Sequence, residues 1–413
     1  MVRNRAVAGV AWTGGFLKCY AGALMNAALA FIVARPNMTT EAVSAFIAAG
    51  VAAHITCSFL TGFLSDWIGR KRTAVISAVL PLLSVSVLCV FADSKSGLIV
   101  GNVLKGAYFG LISSLMPVIV AENSPSGRRG GGAVGLQLSM QFGSIFGALC
   151  GTAVAWLQDV VGGFAWRLDF LLALFPALLF FAWSLRLPEL PNPSRGRNGC
   201  KNSAGGLRPA FGPLLIASMF MALMSLCGMG SIGGFVVVLM GKAGFGSVAS
   251  NLMVTVIGVL TIIPALFAKT LIDRAGRRFL MRTGTVGIFV GMSGCGIAFA
   301  LSGTDILTPT ALGFVFAGFY ALASLSFTFG PASCAWAVVP EILPGRFRAK
   351  GMSVALLCNQ ASTFCITTFF LPVAERYGYA CWFLFFAAMS AAYVAMSWLV
   401  LPETKGALPD WKK

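Results

Sequence analysis

The chain alternates between long apolar segments and short polar or basic connections. Each apolar segment has about 20 residues or more, the length that an α-helix needs to cross a bilayer. Strands of a membrane barrel need only about 9–11 alternating residues, so the length of these segments favours helices. The twelve segments lie near residues 8–33, 42–64, 73–92, 97–121, 133–156, 165–187, 212–240, 248–270, 279–301, 307–339, 351–373 and 379–401. We therefore predict an all-α polytopic membrane protein with twelve transmembrane helices.

Composition excludes several classes of protein. Of the 413 residues, 58% are hydrophobic and 10% are charged, whereas a soluble domain has about 25% charged residues. A soluble enzyme, a disordered chain and a nucleic-acid-binding domain are therefore not expected. The sequence contains no recognisable nucleophile–base set, metal-ligand cluster or phosphate-binding loop, so it predicts no enzyme activity, cofactor or metal. The expected partners are a small-molecule substrate and the lipid bilayer.

The basic residues indicate how the helices are oriented. The formal net charge is +17, and 22 of the 30 Lys and Arg residues fall on one side of the membrane if both termini are cytoplasmic. Such an excess in the cytoplasmic connections is the positive-inside pattern. We expect both termini in the cytoplasm, and a multi-pass protein of the plasma membrane that works as a monomer.

Three charged patterns occur once in each half of the chain. After matching segments, an Asp precedes an Arg by four residues, a Glu precedes an Arg by seven, and Leu-Pro precedes a Glu. The matched residues are Asp66 and Arg70 with Asp273 and Arg277, Glu122 and Arg129 with Glu341 and Arg348, and Glu189 with Glu403. This repetition predicts an N-terminal six-helix bundle (1–187), a cytoplasmic linker (188–211), a C-terminal six-helix bundle (212–401) and a short cytoplasmic tail (402–413).

The repeated charges predict an inner gate. In transporters built from parallel repeats, the two halves rock about a site near the midplane. Ion pairs at the inner helix ends would hold that side closed in one state and separate in the other. Arg suits this role because its guanidinium can form two parallel bonds to a carboxylate. Anchoring of helices at the headgroups is the alternative explanation for each charge. The predicted gate comprises Asp66, Arg70, Glu122, Arg129, Asp273, Arg277, Glu341 and Arg348, supported by Glu189 and Glu403.

Several motifs resemble the major facilitator superfamily and, within it, the sugar porters. The segment 62–72 (GFLSDWIGRKR) resembles the loop signature of the superfamily, and 273–278 (DRAGRR) resembles its second copy. The segments 117–129 (PVIVAENSPSGRR) and 401–406 (LPETKG) are similar to the sugar-porter sequences after helices four and twelve. The resemblance covers nearly the whole chain. It implies a fold of two six-helix bundles in which Gln, Asn and Trp side chains bind sugar hydroxyls at the midplane.

The resemblance also implies substrate contacts. It assigns Gln137 in helix five, Trp336 in helix ten, and Asn359 with its neighbour Gln360 in helix eleven. Amides donate and accept hydrogen bonds, and an indole packs on the apolar face of a sugar ring. Core packing, or a hydrogen bond to a neighbouring helix, is the alternative for each.

Three further cavity positions depart from the family. Ser225, Thr261 and Thr328 stand where the sugar porters carry Gln, Asn and Glu. Specificity for sugar hydroxyls depends on matched buried polar groups, so we expect a pocket that discriminates weakly between sugars.

One position in helix one indicates whether transport is coupled to protons. Ala21 takes the place of the Asp that proton-coupled members carry, and Asn102 takes the place of its Arg partner in helix four. A buried Arg without its Asp partner is costly, so an Arg is not expected at position 102 once the Asp at position 21 is absent. The pattern predicts facilitated diffusion of a sugar or polyol without proton coupling.

Two intramembrane lysines leave an alternative open. Lys18 and Lys105 lie inside segments one and four, where a cation is costly and usually faces a cavity or a partner. They are possible anion contacts, which makes an organic-anion transporter the alternative function; snorkelling to an interface is the other explanation. His54 in segment two is expected to be a packed, neutral residue. A non-transporting nutrient sensor is less favoured, because such sensors usually carry a long cytoplasmic tail.

Overall fold

The computed structural model of the protein describes residues 2–33, 40–123, 129–161, 167–189, 208–232, 236, 239, 247–301, 309–344 and 347–401. Every regular element in these ranges is a helix. The helices are α1 (Val2–Val33), α2 (Thr40–Trp67), α3 (Arg70–Val90), α4 (Lys95–Asn123), α5 (Arg129–Val161), α6 (Leu168–Leu172), α7 (Leu174–Arg186), α8 (Arg208–Leu226), α9 (Met229–Ile232), α10 (Ser247–Leu260), α11 (Ile262–Leu271), α12 (Arg277–Leu301), α13 (Pro309–Phe327), α14 (Ser333–Ile342), α15 (Arg348–Tyr377) and α16 (Tyr379–Leu399). A π-helical segment, Thr328–Ala332, joins α13 to α14.

The predicted spans correspond to these helices. In the described part of the chain, nine helical stretches are long and apolar enough to cross a membrane. Two shorter apolar helices, Phe211–Leu226 and Thr255–Leu271, occupy the seventh and eighth predicted positions. Together with α1 they account for the twelve predicted segments, which confirms the prediction of an all-α polytopic membrane protein.

The chain divides into two compact units. The first unit comprises Met1–Pro125, Gly135–Ala210 and Leu343–Leu357. The second unit comprises Ser126–Val134, Phe211–Ile342 and Cys358–Lys413. Helices α5 and α15 therefore each contribute their first turns to one unit and their remainder to the other.

In the first unit, α2 packs along α4, and α1 and α3 both pack against α4 and α7. A buried apolar cluster joins the ends of several of these helices. It contains Met25 and Ile32 of α1, Phe46 of α2, Leu88 of α3 and Phe170 of α6. Because Phe170 is part of this cluster, the short helix α6 is held against α1 and α3.

In the second unit, α12 packs along α13 and α16. Aromatic side chains form this contact. The ring of Phe299 in α12 lies 5.0 Å from that of Phe316 in α13 and 5.4 Å from that of Phe383 in α16. These separations are in the range at which aromatic pairs attract each other. The rings therefore fix the far end of α12, while its first residue, Arg277, lies in a polar cluster.

Within the described residues, four of the predicted spans are interrupted helices. The sixth is divided at Ala173, the seventh at Cys227 and Gly228, and the eighth at Thr261. In the tenth, Pro331 lies within the π-helical segment. Proline lacks the N–H that an α-helix needs, and π-helical turns are common at functional sites. Hydropathy does not predict these interruptions, because it shows the length of an apolar segment and not its local hydrogen bonding.

Candidate functional site

Arg70 is the centre of a buried ion-pair cluster in the first unit. It begins α3 directly after Gly69, whose φ of +100° allows the turn from α2 into α3. Its side chain is 2% exposed. Nη1 donates to Asp66 Oδ1 at 2.7 Å and to Ser65 Oγ at 2.9 Å. Nε and Nη2 each donate to a carboxylate oxygen of Glu122 at 3.4 Å.

Arg277 has the same arrangement in the second unit. It begins α12 directly after Gly276, whose φ is +88°. Its side chain is 2% exposed, and Nη2 lies 3.1 Å from Glu341 Oε1 and 3.4 Å from Asp273 Oδ1. Nη1 donates to the carbonyl oxygen of Ile272 at 3.1 Å. The residues that repeat in sequence thus form two clusters of the same design.

Each cluster has two carboxylates for one guanidinium. In the second cluster, Asp273 Oδ2 also accepts the backbone N–H of Gly131 at 2.9 Å within the second unit. The closer acid also differs between the clusters, being Asp66 for Arg70 and Glu341 for Arg277. Removing one partner from a buried ion pair costs about 3–5 kcal/mol, so these contacts are strong structural constraints.

The other four predicted gate residues are placed differently. Arg348 begins α15 and is 8% exposed. Glu189 follows α7, is exposed, and forms no ion pair with another described residue. The side chain of Arg129 and the whole of Glu403 lie outside the described residues.

A pair of hydrogen bonds joins α8 to α15 in the second unit. Asn359 Nδ2 donates to the carbonyl oxygen of Met221 at 2.8 Å. One turn further along both helices, Thr363 Oγ1 donates to Ser225 Oγ at 3.0 Å. We call these four residues the polar seam. It brings the predicted contacts Asn359 and Ser225 together, with half-buried Gln360 adjacent in sequence.

The remaining predicted substrate contacts are distributed over other elements. The hydroxyls of Thr261 and Thr328 donate to carbonyl oxygens of the preceding turn of their own helices at 2.6 Å and 3.0 Å. Thr328 lies in the π-helical segment, and Trp336, 8% exposed, follows on α14. Gln137 is half-buried on α5 in the first unit. Two of the seven predicted contacts, Asn359 and Ser225, therefore belong to the polar seam.

The two intramembrane lysines lie on α1 and α4 in the first unit. Lys105 lines a cavity of about 290 Å³ together with His54 and Asn102. Its Nζ lies 5.6 Å from the ring centroid of Phe109. Neither Lys18 nor Lys105 forms an ion pair with another residue that the structure describes. Lys105 is therefore a cavity residue.

Asp169 on α6 is a candidate that the sequence reasoning missed. It is fully buried, and neither carboxylate oxygen has a hydrogen-bond partner among the described residues. The prediction on proton coupling considered an intramembrane acid in helix one alone. An acid inside the apolar segment 165–187 was nevertheless a visible signal, because ionisable residues within spans are usually functional.

Known proteins provide an independent comparison. The model of the sugar (and other) transporter family matches residues 7–192 and 196–408. The chain is 29% identical over 395 residues to the human solute carrier family 2, facilitated glucose transporter member 4, covering 84% of this chain and 74% of that protein. It is 26% identical over 447 residues to a glucose transport protein of Synechocystis sp., covering 97% of this chain and 95% of that protein.

A solved structure has the same fold. It is the major facilitator superfamily proton:xylose symporter XylE bound to 6-bromo-6-deoxy-D-glucose, with a TM-score of 0.84 and 21% identity. The similarity covers 98% of this chain and 97% of that one. The architecture is therefore the major facilitator fold, as the sequence motifs predicted. Since the family model matches nearly the whole chain, the protein belongs to the sugar (and other) transporter family.

Proposed function

We propose that this membrane protein transports a sugar or polyol by alternating access between two six-helix bundles. The observation that carries the proposal is the family match over residues 7–192 and 196–408. Two relatives are named as glucose transporters, and the solved structure with the same fold is named as a proton:xylose symporter. A neutral, hydroxyl-rich substrate is the chemistry that these names share.

The polar seam supplies groups for binding hydroxyls. The bond from Asn359 to the carbonyl of Met221 uses one amide hydrogen. The second amide hydrogen and Oδ1 remain suited to a ligand hydroxyl, since an amide has two donors and an acceptor. The same bond fixes the orientation of the amide, which reduces the entropy that binding would otherwise cost. We propose Asn359, Gln360 and Ser225 as substrate contacts, with Gln137, Trp336, Thr261 and Thr328 completing the set.

The two arginine clusters support a gate. Each holds the end of one helix to the end of another through a buried guanidinium, and in the second cluster Asp273 also accepts the backbone N–H of Gly131. A cycle needs contacts that form in one state and separate in the other, and a ligand shifts the populations only if it binds one state better. We propose that Asp66, Arg70 and Glu122 act in this way, and that Asp273, Arg277 and Glu341 do the same. Arg129, Arg348, Glu189 and Glu403 are proposed as supporting residues.

We propose facilitated diffusion as the mode of transport. The helix-one position of the proton-coupled Asp holds Ala21, and its partner position holds Asn102. In place of an ion pair, Asn102 donates its amide to the carbonyl oxygen of Phe46 at 2.6 Å. Asp169 is a buried carboxyl that could carry a proton, so a test of facilitated diffusion has to include a variant at this position.

Four further proposals concern the orientation, the location, the oligomeric state and the domain boundaries of the protein. Both termini are cytoplasmic, because that orientation places the excess of Lys and Arg inside. The protein resides in the plasma membrane. It works as a monomer, because one chain contains both halves of the repeat. The linker 188–211 separates bundles 1–187 and 212–401, and 402–413 is a short tail.

Uptake into proteoliposomes tests the function. The purified chain is reconstituted and supplied with radiolabelled hexoses, pentoses and polyols, with and without a proton gradient. Saturable uptake that equilibrates without a gradient is the expected result. Absence of uptake of every sugar and polyol by a correctly folded protein would contradict the proposal, and accumulation driven only by a proton gradient would contradict facilitated diffusion.

A further inference from the structure

A cavity of about 290 Å³ lies within the first unit, between α1, α2 and α4. Its lining includes Asn26, His54, Asn102, Lys105 and Phe109. We call it the α2–α4 cavity. It contains none of the seven residues proposed above to contact a neutral sugar. Its volume lies just below the range of about 300–1,000 Å³ that small-molecule pockets occupy, so it suits a ligand of one sugar ring.

Asn102 provides this cavity with an acceptor. The residue is 3% exposed, and its Nδ2 donates to the carbonyl oxygen of Phe46 at 2.6 Å. Its Oδ1 has no hydrogen-bond partner among the described residues. Buried polar atoms are almost always paired, so an unpaired oxygen on a residue that lines a cavity indicates a missing donor. A ligand hydroxyl would provide that donor.

The α2–α4 cavity also has a positive electrostatic character. Lys105 is on its wall, and both Lys105 and Lys18 lie close enough to His54 to act on it electrostatically. In the described part of the chain, neither lysine forms an ion pair with a carboxylate. A cation inside a membrane segment is costly unless it faces a partner or a polar cavity. The partner that this cavity favours is therefore an anion.

The position of Lys105 is structurally fixed. Gly106, its neighbour, lets α4 approach α2 closely, because a Cβ at that position would collide with the carbonyl oxygen of Gly50. His54 on α2 lies edge-on to Phe109 on α4, with 6.0 Å between ring centroids. Lys105 Nζ lies 5.6 Å from the same Phe109 ring. The ammonium group thus lies near Phe109, in the cavity that Asn102 also lines.

We propose that the α2–α4 cavity binds the carboxylate of an acidic monosaccharide, with Lys105 pairing with the carboxylate and Asn102 Oδ1 accepting a ring hydroxyl. This inference rests on the proposed function, since it names a class of transported sugar, a sugar acid, that binds at a place separate from the seven contacts proposed above. A carboxylate on a compact ammonium is a charge-assisted contact, which is stronger than a neutral hydrogen bond. Lys18 adds to the positive potential without being required to touch the ligand.

The test compares three probes with the reconstituted full chain. D-glucuronate and D-glucose differ at one carbon, which is a carboxylate in the first and a hydroxymethyl group in the second; lactate carries a carboxylate without a sugar ring. We expect D-glucuronate to be taken up with a higher kcat/KM than D-glucose, and lactate not to compete. The variant Lys105→Gln lowers the ratio of the two kcat/KM values by about tenfold or more, because a contact with a charged group is lost. Lys105→Arg retains most of the ratio, and the matched control Lys269→Gln, at an exposed lysine on α11, does not alter it.

The outcomes separate this inference from the proposed function. Uptake of D-glucose without uptake of or competition by D-glucuronate overturns the acidic-sugar site and leaves sugar transport in place. No uptake of either sugar overturns sugar transport itself, and uptake of lactate alone overturns both. If the Lys105→Gln variant does not insert into the membrane, a competition experiment with the wild-type protein tests the site instead. D-glucuronamide, the neutral amide, must then inhibit sugar uptake about tenfold more weakly than D-glucuronate does. Equal competition by the amide and the acid overturns the inference.

Discussion

Arg70 and Glu122, 52 residues apart in the chain, meet through two contacts of 3.4 Å between the guanidinium and both carboxylate oxygens. The other half of the protein repeats the pair, with Arg277 and Glu341 3.1 Å apart across 64 residues. In each half the arginine is the first residue of a helix and the glutamate belongs to a different helix. The pair therefore connects two helix ends that the sequence alone does not place side by side.

Loss of either buried arginine is expected to destabilise the fold. Arg70→Gln leaves the carboxylates of Asp66 and Glu122 without this cation. The free energy of unfolding should therefore fall by about 3–5 kcal/mol. Arg277→Gln should have a similar effect in the second unit. Thermal unfolding of the purified variants in detergent measures both. The control is Arg72→Gln, which changes an exposed arginine two residues from Arg70 and should shift stability by no more than about 0.5 kcal/mol. Equal effects at Arg70 and Arg72 would show that the buried cluster is not a stabilising unit.

The polar seam is expected to affect substrate affinity. Asn359→Leu removes the amide that is oriented by Met221, and KM for the transported sugar should rise about tenfold. Initial rates of uptake over a range of sugar concentrations measure this. Thr367→Val is the control, because the hydroxyl of Thr367 donates within its own helix, to the carbonyl oxygen of Thr363 at 2.9 Å. An unchanged KM in Asn359→Leu would show that Asn359 does not bind the sugar and only joins α8 to α15.

The two halves of the seam should be energetically coupled. Ser225→Ala and Thr363→Val each remove one side of a 3.0 Å hydrogen bond. The double variant should therefore be less destabilised than the sum of the single variants, by about 0.5–1.5 kcal/mol. A double-mutant cycle of unfolding free energies gives this coupling directly. Simple additivity would indicate that the bond between the hydroxyls contributes nothing.

Asp169 decides the question of proton coupling. For facilitated diffusion, Asp169→Asn should leave the pH dependence of uptake unchanged, because no transported proton passes through the carboxyl. The measurement is uptake at an acidic and at a neutral external pH, together with the change in medium pH when sugar is added to cells that express the protein. Sugar-dependent alkalinisation in the wild type that disappears in Asp169→Asn would identify a proton symporter that uses helix six in place of helix one.

The turns before the two arginines have positive φ angles at Gly69 and Gly276, which favour glycine. Gly69 has a φ of +100°, and a Cβ added there would meet no atom within 4 Å, so Gly69→Ala tests backbone conformation without a steric clash. At a φ of +100° and a ψ of +156°, a residue with a Cβ is strained, so we expect a loss of about 1–3 kcal/mol in stability. The control Gly318→Ala lies within helix α13, where a Cβ also meets nothing within 4 Å. There the substitution should stabilise the helix by up to about 1 kcal/mol. Opposite shifts in melting temperature therefore confirm the turn, and shifts of the same sign contradict it.

Much of the site follows from local sequence, and some of it does not. The pairs Asp66 with Arg70 and Asp273 with Arg277 are four residues apart, so their contact depends only on nearby backbone geometry. Asn359 was expected either to bind substrate or to bond a neighbouring helix, and the sequence could not name Met221 as its partner. Asp169 shows the converse, since its charge was visible in the sequence and its complete burial was not.

The amino-acid sequence by itself determined the twelve apolar segments, the membrane environment, the family and the repeated charges, because these depend on hydropathy, length and spacing along one helix. Only the tertiary structure decided which helix ends the arginines join, which carbonyl holds Asn359, and that Lys105 and Asn102 share a cavity. Those contacts depend on how each helix is rotated about its axis and how closely it approaches its neighbours. Side-chain volumes on several distant segments set both quantities together, so no single segment of the sequence specifies them.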